Sequence, residues 1–358
     1  MKVFDRIRGE GYEQVVFCQH TASGLRAIVA VHSTTLGPAL GGTRFYPYPD
    51  EDTALEDVLR LARAMTYKAA VAGLDLGGGK AVIIGDPSTD KSEELLRAYA
   101  RFVGSLGGRY VTAEDVGTTQ ADMDLIRRET RHVTGVSVEL GGSGDPSAAT
   151  AYGVLWAMRA VGQRLWGDTS LTGRRVVVSG VGKVGSALVG HLVEEKAQVV
   201  VADVVPAAVE RLVHAYGVEP APVEEAHAIP CDLFSPCALG AVLNPVTIPQ
   251  LRCSGVVGSA NNQLADPSCG KLLAEAGVLY GPDYVVNAGG LINIAEELSP
   301  HGYHPERARA AVARIFETTG MVLDTAETEG ITTAEAADRV AERRIDELAR
   351  VRQIRTFG

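Results

Sequence analysis

The sequence predicts an α/β protein of two domains, and three observations carry the prediction. Short all-apolar runs, Val176-Val177-Val178 and 199–202 foremost, alternate with helical stretches, the pattern of a parallel sheet covered on both faces. The segment GVSVELGGSGDPS, residues 135–147, has four glycines and a proline without helical periodicity and reads as a linker or hinge. A length of 358 residues, 46% of them hydrophobic, leaves room for two ordinary cores. The expected division is an N-terminal α/β domain over 1–137, rejoined by a returning helix over about 331–358, and a doubly wound domain over 138–330.

The elements follow in order. Residues 12–19 and 25–32 are β-prone runs joined by His20-Thr21-Ala22-Ser23-Gly24, a hairpin turn. Thr53 and Glu56 form a TxxE capping box, and Leu55, Val58, Leu59, Ala62 and Met65 recur at three- and four-residue spacing, so a helix runs toward Lys68 near its C-terminal end. A strand over 81–84 precedes an amphipathic helix carrying Leu95, Leu96, Tyr99, Val103 and Leu106. A short strand over 110–112 then leads to Asp115 just beyond it. After the linker, a helix over 151–165 precedes the valine run, and Leu233-Phe234, Val256-Val257 and Val278-Leu279 are further strands. The stretch 305–352 reads as helical, with breaks at Gly320 and Gly330.

Charge and composition exclude several function classes. The balance of 34 Lys+Arg against 44 Asp+Glu gives a net charge of -10 with no long basic run, so a nucleic-acid partner would meet a repulsive field. No segment approaches the roughly 18 apolar residues of a membrane span, and the start MKVFDRIRGEGYEQ has no apolar targeting core, which predicts a cytoplasmic protein. Cys18, Cys231, Cys237, Cys253 and Cys269 lack CxxC spacing, arguing for reduced thiols over a disulfide framework or zinc site. His301 and His304 in HGYH have no partnering acidic or cysteine cluster and read as a solvated loop; no metal is expected.

The sharpest motif is Gly180-Val181-Gly182-Lys183-Val184-Gly185, which follows the valine strand and opens a helix through Leu188, Val189 and Leu192. In a G-x-G-x-x-G turn the first glycine permits the bend, the second lets backbone approach a pyrophosphate, and the third lets helix meet strand. Asp203 closes the next apolar strand, where a carboxylate accepts hydrogen bonds from ribose hydroxyls. Val204, Val205 and Pro206 follow it, offering no cation for a 2'-phosphate, so NAD is expected over NADP. In the other half, Lys80 follows Gly77-Gly78-Gly79 at the start of an apolar strand. There flanking backbone would leave space for a small molecule, and desolvation would bring an amine toward neutrality, making Lys80 a candidate base.

The segments LGPALGGTRFYPY, MTYKAAVAGLDLGGGKAVIIGDP, GGRYVTAEDVGTT, GVGKVG, DLFSPCALGAVLN, GSANNQL and GPDYVVNAGGLINIAEEL, in that order over about 12–343, resemble the Glu/Leu/Phe/Val amino-acid dehydrogenase family, its leucine and valine branch above all. The resemblance implies a substrate-binding and oligomerisation domain, a Rossmann-type NAD domain with a cleft between them, and reversible NAD-dependent oxidative deamination of an aliphatic L-amino acid to a 2-oxo acid and ammonia. It implies that Lys68 and Asn261 bind the substrate carboxylate, that Lys80 activates water and that Asp115 exchanges protons with the amine. By the same resemblance Leu40, Gly41, Ala113, Leu291 and Ile294 line the substrate pocket. Thr150, Ala238 and Asn262 join Gly180, Gly182, Lys183, Val184, Gly185 and Asp203 at the cofactor. Relatives that act on glutamate carry a lysine where Leu40 stands, and leucine-specific relatives carry valine where Leu291 and Ile294 stand, so a narrower aliphatic slot is expected. A homo-oligomer, octamer or dimer, is implied as well.

Three rival readings are distinguishable. A phenylalanine dehydrogenase would need a wider pocket. A non-catalytic NAD-binding regulator of the same fold would have no chemical need for Lys68, Lys80, Asp115 and Asn261 together. A hydroxy-acid dehydrogenase usually calls for a histidine base and an arginine clamp, whereas the best-placed groups here are lysines.

Overall fold

A computed structural model describes residues 3–238 and 240–351; the end of the expected returning helix, 352–358, lies outside the described residues. Two units divide the chain. The first comprises 1–145, 294–305 and the chain from 341 onward; the second comprises 146–293 and 306–340.

In the first unit β1 (Gln14–His20), β2 (Leu25–Ser33), β3 (Ala39–Tyr46), β4 (Gly77–Ile84) and β5 (Tyr110–Glu114) form a mixed sheet in the order β1-β2-β4-β3-β5. β1 pairs antiparallel with β2 and β2 with β4, while β3 runs parallel to both β4 and β5. Because side chains alternate across a strand, Ile28, Ala30 and Val82 face one way and pack on Ala54, Leu55, Val58, Leu59 and Ala62 of the helix Glu51–Val71. Ala27, Val29, Ala81 and Ile83 face the other way, onto Leu95, Leu96, Tyr99 and Val103 of the helix Glu93–Ser105. Lys80 shares the parity of Val82. The pleat therefore aims it to the side covered by the helix whose last turn carries Lys68.

Three differences from the sequence reading have physical causes. The helix begins a turn before Thr53 because Asp50 is its N-cap, its Oδ1 accepting from the Thr53 N–H at 2.7 Å; an aspartate cap is worth about 1 kcal/mol. β4 starts at Gly77, not Ala81, so the glycine triplet is strand. Gly320 does not break its helix: Ile315–Glu329 runs through it, because packing of Ile315, Val322 and Leu323 outweighs a cost of about 1 kcal/mol. The interruption falls at Arg314, and Gly330, at φ +64°, ends that helix as expected. The final helix, Thr333–Val351, contributes its second half to the first unit, where Arg344 bonds the Leu74 carbonyl at 2.6 Å and the Asp75 carboxylate at 2.8 Å.

In the second unit β6 (Arg175–Ser179), β7 (Gln198–Ala202), β8 (Glu219–Pro220), β9 (Leu233–Pro236), β10 (Gly255–Val256) and β11 (Leu279–Tyr280) form an all-parallel sheet ordered β11-β10-β9-β6-β7-β8. Counted from β6 this is the 3-2-1-4-5-6 order of doubly wound, Rossmann-type sheets, whose ligands bind where the order reverses, between strands 1 and 4. Val177, Val200, Ala202, Phe234, Val256 and Tyr280 are the sheet's share of a core to which Leu243, Ile248 and Leu273 also belong.

The linker read at 135–147 is only partly loop. A short 3-10 turn, Val138–Leu140, interrupts it, and the helix Ser147–Trp166 already begins at its last residue. Glu297 holds this segment: its carboxylate accepts from the N–H of Gly135 at 3.0 Å and of Ser143 at 2.8 Å. Burial pushes the Glu297 carboxyl above its ordinary value against those hydrogen bonds.

Candidate active site

Lys80 sits mid-strand in β4 and is only 6% exposed. Contrary to the expectation from sequence, the glycines before it do not open space for a ligand; they let protein close in. A Cβ on Gly77 would lie 1.9 Å from the Ser33 carbonyl oxygen, one on Gly78 2.0 Å from the Thr66 nitrogen, and one on Gly79 2.8 Å from the Tyr110 ring. The pair in β3 has the same origin. A Cβ on Gly41 would meet the Gly79 oxygen at 1.8 Å, and one on Gly42 would meet the Glu114 oxygen at 2.4 Å and the Asp115 Cβ at 2.9 Å. Glycines on β3 and β4 thus draw Lys80 and Asp115 toward each other.

Asp115 follows β5 directly, and a tight turn fixes it. Its N–H donates to Thr118 Oγ1 at 2.9 Å, and that hydroxyl also lies 2.9 Å from the Thr43 carbonyl oxygen. Its Oδ2 lies 2.8 Å from Lys80 Nζ and 3.3 Å from Arg44 Nε. Burial alone would push the Asp115 carboxyl up, but the Lys80 and Arg44 charges outweigh it and hold the group below its usual range. Lys80 is therefore buried as expected, but buried against a carboxylate. An ammonium and a carboxylate in contact away from bulk water are equipped to pass a proton between a substrate and a water molecule.

Around this pair the other predicted residues of the first unit fall as follows. Lys68 is half-buried in the last turn of Glu51–Val71. Leu40 and Ala113, on neighbouring β3 and β5, are covered, with Leu40 fully buried and Ala113 3% exposed. Gly41 packs against Met65, whose Cγ would lie 3.3 Å from an added Cβ; the sequence reading gave Met65 only a place on the helix face.

Gly180, Gly182, Lys183, Val184, Gly185, Asp203 and Ala238, seven of the predicted dinucleotide residues, lie at the reversal of the second sheet. Gly180 leaves β6 at φ +99°, its N–H donating to the Ala202 carbonyl at 2.7 Å. A Cβ there would strike Ala238, just beyond β9, at 2.5 Å. Gly182 caps the helix Lys183–Glu194 without a side-chain hydrogen bond and meets nothing within 4 Å of a would-be Cβ, whereas a Cβ on Gly185 would stand 2.0 Å from the Gly180 oxygen. Lys183 and Val184 are the first residues of that helix, whose N-terminal backbone dipoles favour an anion. Asp203, directly after β7, accepts from the N–H of Val181 at 2.7 Å and of Val205 at 2.9 Å. An open middle glycine between two closed ones fits the pyrophosphate of a dinucleotide.

Thr150 lies in the first turns of Ser147–Trp166, its Oγ1 donating to the Pro146 carbonyl at 3.0 Å. Gly290 lets another backbone approach it, since a Cβ there would meet Thr150 Oγ1 at 2.7 Å. Leu291 and Ile294 stand three residues apart on Gly289–Ala295 and so share a face. Asn261 is exposed, and Asn262 holds φ +52°.

Sequence reasoning missed two side chains in contact with predicted site residues. Buried Asn287 donates through Nδ2 to the Ser259 carbonyl at 3.1 Å and to Asn261 Oδ1 at 2.9 Å, so the Asn261 side-chain oxygen is engaged within the protein. Arg44 was also missed, although an arginine in the otherwise apolar strand ALGGTRFY was the available signal. Among the described residues no group of three or more His, Cys, Asp or Glu side chains could hold a metal ion, His301 and His304 are exposed, and no helix is long and apolar enough to cross a membrane.

A doubly wound parallel sheet with this turn, in a chain whose other unit buries a lysine–carboxylate pair, has the parts that a dehydrogenase needs. Comparison with known proteins specifies it. The model of the Glu/Leu/Phe/Val dehydrogenase dimerisation domain matches residues 12–132, and that of the glutamate/leucine/phenylalanine/valine dehydrogenases matches 141–205 and 202–352. The chain is 51% identical to a leucine dehydrogenase of Geobacillus stearothermophilus over 98% of this chain and 95% of that one. It is 55% identical to a valine dehydrogenase of Streptomyces albus over 96% and 94%. The crystal structure of L-tryptophan dehydrogenase from Nostoc punctiforme superposes with a TM-score of 0.86 at 43% identity, covering 97% of this chain and 99% of that one. The chain belongs to the Glu/Leu/Phe/Val dehydrogenase family and is an amino-acid dehydrogenase.

Proposed function

We propose that the protein catalyses the reversible, NAD-dependent oxidative deamination of branched-chain and other aliphatic L-amino acids in the cytoplasm. The observation that carries this reading is the buried Lys80–Asp115 pair at 2.8 Å. NAD, when bound, accepts a hydride from the substrate Cα; Gly180, Gly182, Lys183, Val184, Gly185, Asp203, Ala238, Thr150 and Asn262 would hold it. Lys68 and the amide of Asn261 bind the substrate carboxylate. With Lys80 as the free amine, Asp115 takes a proton from the substrate ammonium and Lys80 takes one from the water that adds to the iminium carbon. Asp115 then returns its proton to the amine, and as the C–N bond breaks the carbinolamine hydroxyl proton passes to the Asp115 carboxylate, the protons held by Lys80 and Asp115 being released to solvent. Each proton transfer by a positioned group is worth about 10²- to 10⁴-fold in rate.

Support for NAD over NADP is the Asp203 carboxylate at the ribose end of the turn, followed by exposed Val204 and Val205 and no cation. Support for aliphatic side chains comes from Leu40, Ala113, Leu291 and Ile294 and from the leucine and valine dehydrogenases among the relatives. A glutamate side chain would face Leu40 with its charge unpaired, at about 3 to 5 kcal/mol. The test is kcat/KM for valine, leucine, isoleucine, 2-aminobutyrate, phenylalanine, tryptophan and glutamate with NAD and with NADP. The aliphatic substrates should lead, separated by only about 1 to 3 kcal/mol per methylene, and NAD should be preferred; an aromatic or glutamate optimum, or equal use of NADP, would refute the corresponding part.

Assembly is part of the proposal. β1 ends its sheet with an unpaired edge and a half-exposed Phe17, and exposed edges are normally covered. The family's dimerisation model spans the same region. Sedimentation at micromolar concentration should give a homo-oligomer, dimer or octamer, dissociated or weakened by a charged residue at Phe17; a monomer would contradict it.

A further inference from the structure

We propose that Arg44 is the positioning residue for Asp115: anchored from the outside, its guanidinium holds the carboxylate in place through both protonation states of Lys80. The proposal rests on the reading of Asp115 as the carboxylate that exchanges protons with the substrate. Arg44 lies in β3, where Thr43 pairs with Glu114, so it is next in register to Asp115. Its Nε approaches Asp115 Oδ2 at 3.3 Å and its Nη1 approaches Asp57 Oδ2 at 2.8 Å. Asp57 is itself clamped, accepting from Tyr48 Oη at 2.6 Å and from Arg60 at 2.8 Å. The chain Lys80–Asp115–Arg44–Asp57–Tyr48/Arg60 leads outward to a cavity lined by Arg44, Tyr48, Asp57, Arg60 and Val116.

The chemistry requires such a group. Whenever Lys80 gives up its proton, Asp115 loses the charge 2.8 Å away and would be a buried carboxylate with no counter-ion. Arginine stays charged at any pH at which the protein is folded, so it supplies a cation that does not fluctuate with the reaction. Both cations approach Asp115 Oδ2. Asp57 in turn keeps Arg44 from swinging away.

The ionisable groups around this centre leave its pH response readable. Lys80 and Arg44 face Asp115 from β4 and β3, Tyr110 from its own strand, and Glu114 beside it is exposed. Burial pushes Tyr110 up to about 12 and Tyr48 higher still. Asp57, despite its burial, is held low by Tyr48, Arg60 and Arg44. Removing the Arg44 cation makes Asp115 easier to protonate, and because the reaction needs it ionised, activity must fall at a higher pH than in the wild type.

The experiment is the pH profile of kcat/KM for Arg44→Gln, Arg44→Lys and Asp57→Asn with the preferred amino acid, alongside NADH binding. Arg44→Gln should displace the acid limb upward by about one pH unit or more, Arg44→Lys should restore most of the shift, and Asp57→Asn should give a smaller displacement of the same sign, with NADH affinity unchanged in all three. A limb in Arg44→Gln that superposes on wild type, or one displaced equally in Arg44→Lys, overturns the proposal. If Arg44→Gln does not fold, an unmoved limb in Asp57→Asn overturns it. Asp115→Asn separates the two claims. Wild-type turnover there defeats the role of Asp115, whereas an inactive Asp115→Asn beside an unmoved Arg44→Gln profile defeats the role of Arg44 alone.

Discussion

Replacing Lys80 with alanine is expected to lower kcat by about 10²- to 10⁴-fold while NADH binding stays close to wild type. The size follows from removing a positioned proton-transfer group. The selectivity follows because Lys80 belongs to the first unit and the glycine turn to the second. Lys80→Met separates charge from volume, because it fills the same space without an amine. Equal losses in the two variants assign the effect to the amine; steady-state turnover within a few-fold of wild type in either would remove Lys80 from the reaction.

The second large effect is expected at the dinucleotide turn, where two glycines of one motif should fail in different ways. At Gly182 a methyl group meets nothing within 4 Å, so Gly182→Ala should fold with an unchanged melting temperature. The methyl would instead occupy the face offered to the pyrophosphate. Loss of one charge-assisted hydrogen bond, about 2 kcal/mol, corresponds to about 30-fold in Kd. At Gly185 the methyl would stand 2.0 Å from the Gly180 oxygen, so Gly185→Ala must push helix from strand and lower stability as well as affinity. Calorimetry and NADH fluorescence titration read both. A Gly182→Ala variant that binds NADH as wild type does would show that the cofactor does not approach there.

The dinucleotide unit was legible in the sequence because its signals are local: Val176-Val177-Val178 reads as a buried strand, GVGKVG as its turn and Asp203 as the end of the next strand, each within one βαβ repeat. The substrate unit was less so. β3 escaped notice because Gly41, Gly42 and Arg44 lower the strand signal of ALGGTRFY, and those residues are present for contacts made across the sheet. For the same reason Gly77-Gly78-Gly79 read as backbone leaving space for a small molecule ahead of the strand, whereas the structure fills that space with Ser33, Thr66 and Tyr110. Lys80 was singled out by its place after the glycine triplet, whereas the role of Asp115 came from the resemblance. Arg44, whose partners Asp57 and Asp115 lie 13 and 71 residues away, could not be found from spacing, and neither could Asn287, 26 residues from Asn261.

The central claim is that a lysine–carboxylate pair and a dinucleotide together deaminate an aliphatic amino acid. Its most direct test is product stoichiometry with the wild-type protein: incubate with L-leucine or L-valine and NAD, then measure NADH, ammonia and 2-oxo acid in the same sample. The account predicts equal amounts of all three, and the reverse reaction from the 2-oxo acid, ammonia and NADH. NADH formed without ammonia, or no NADH from any aliphatic L-amino acid, would contradict it.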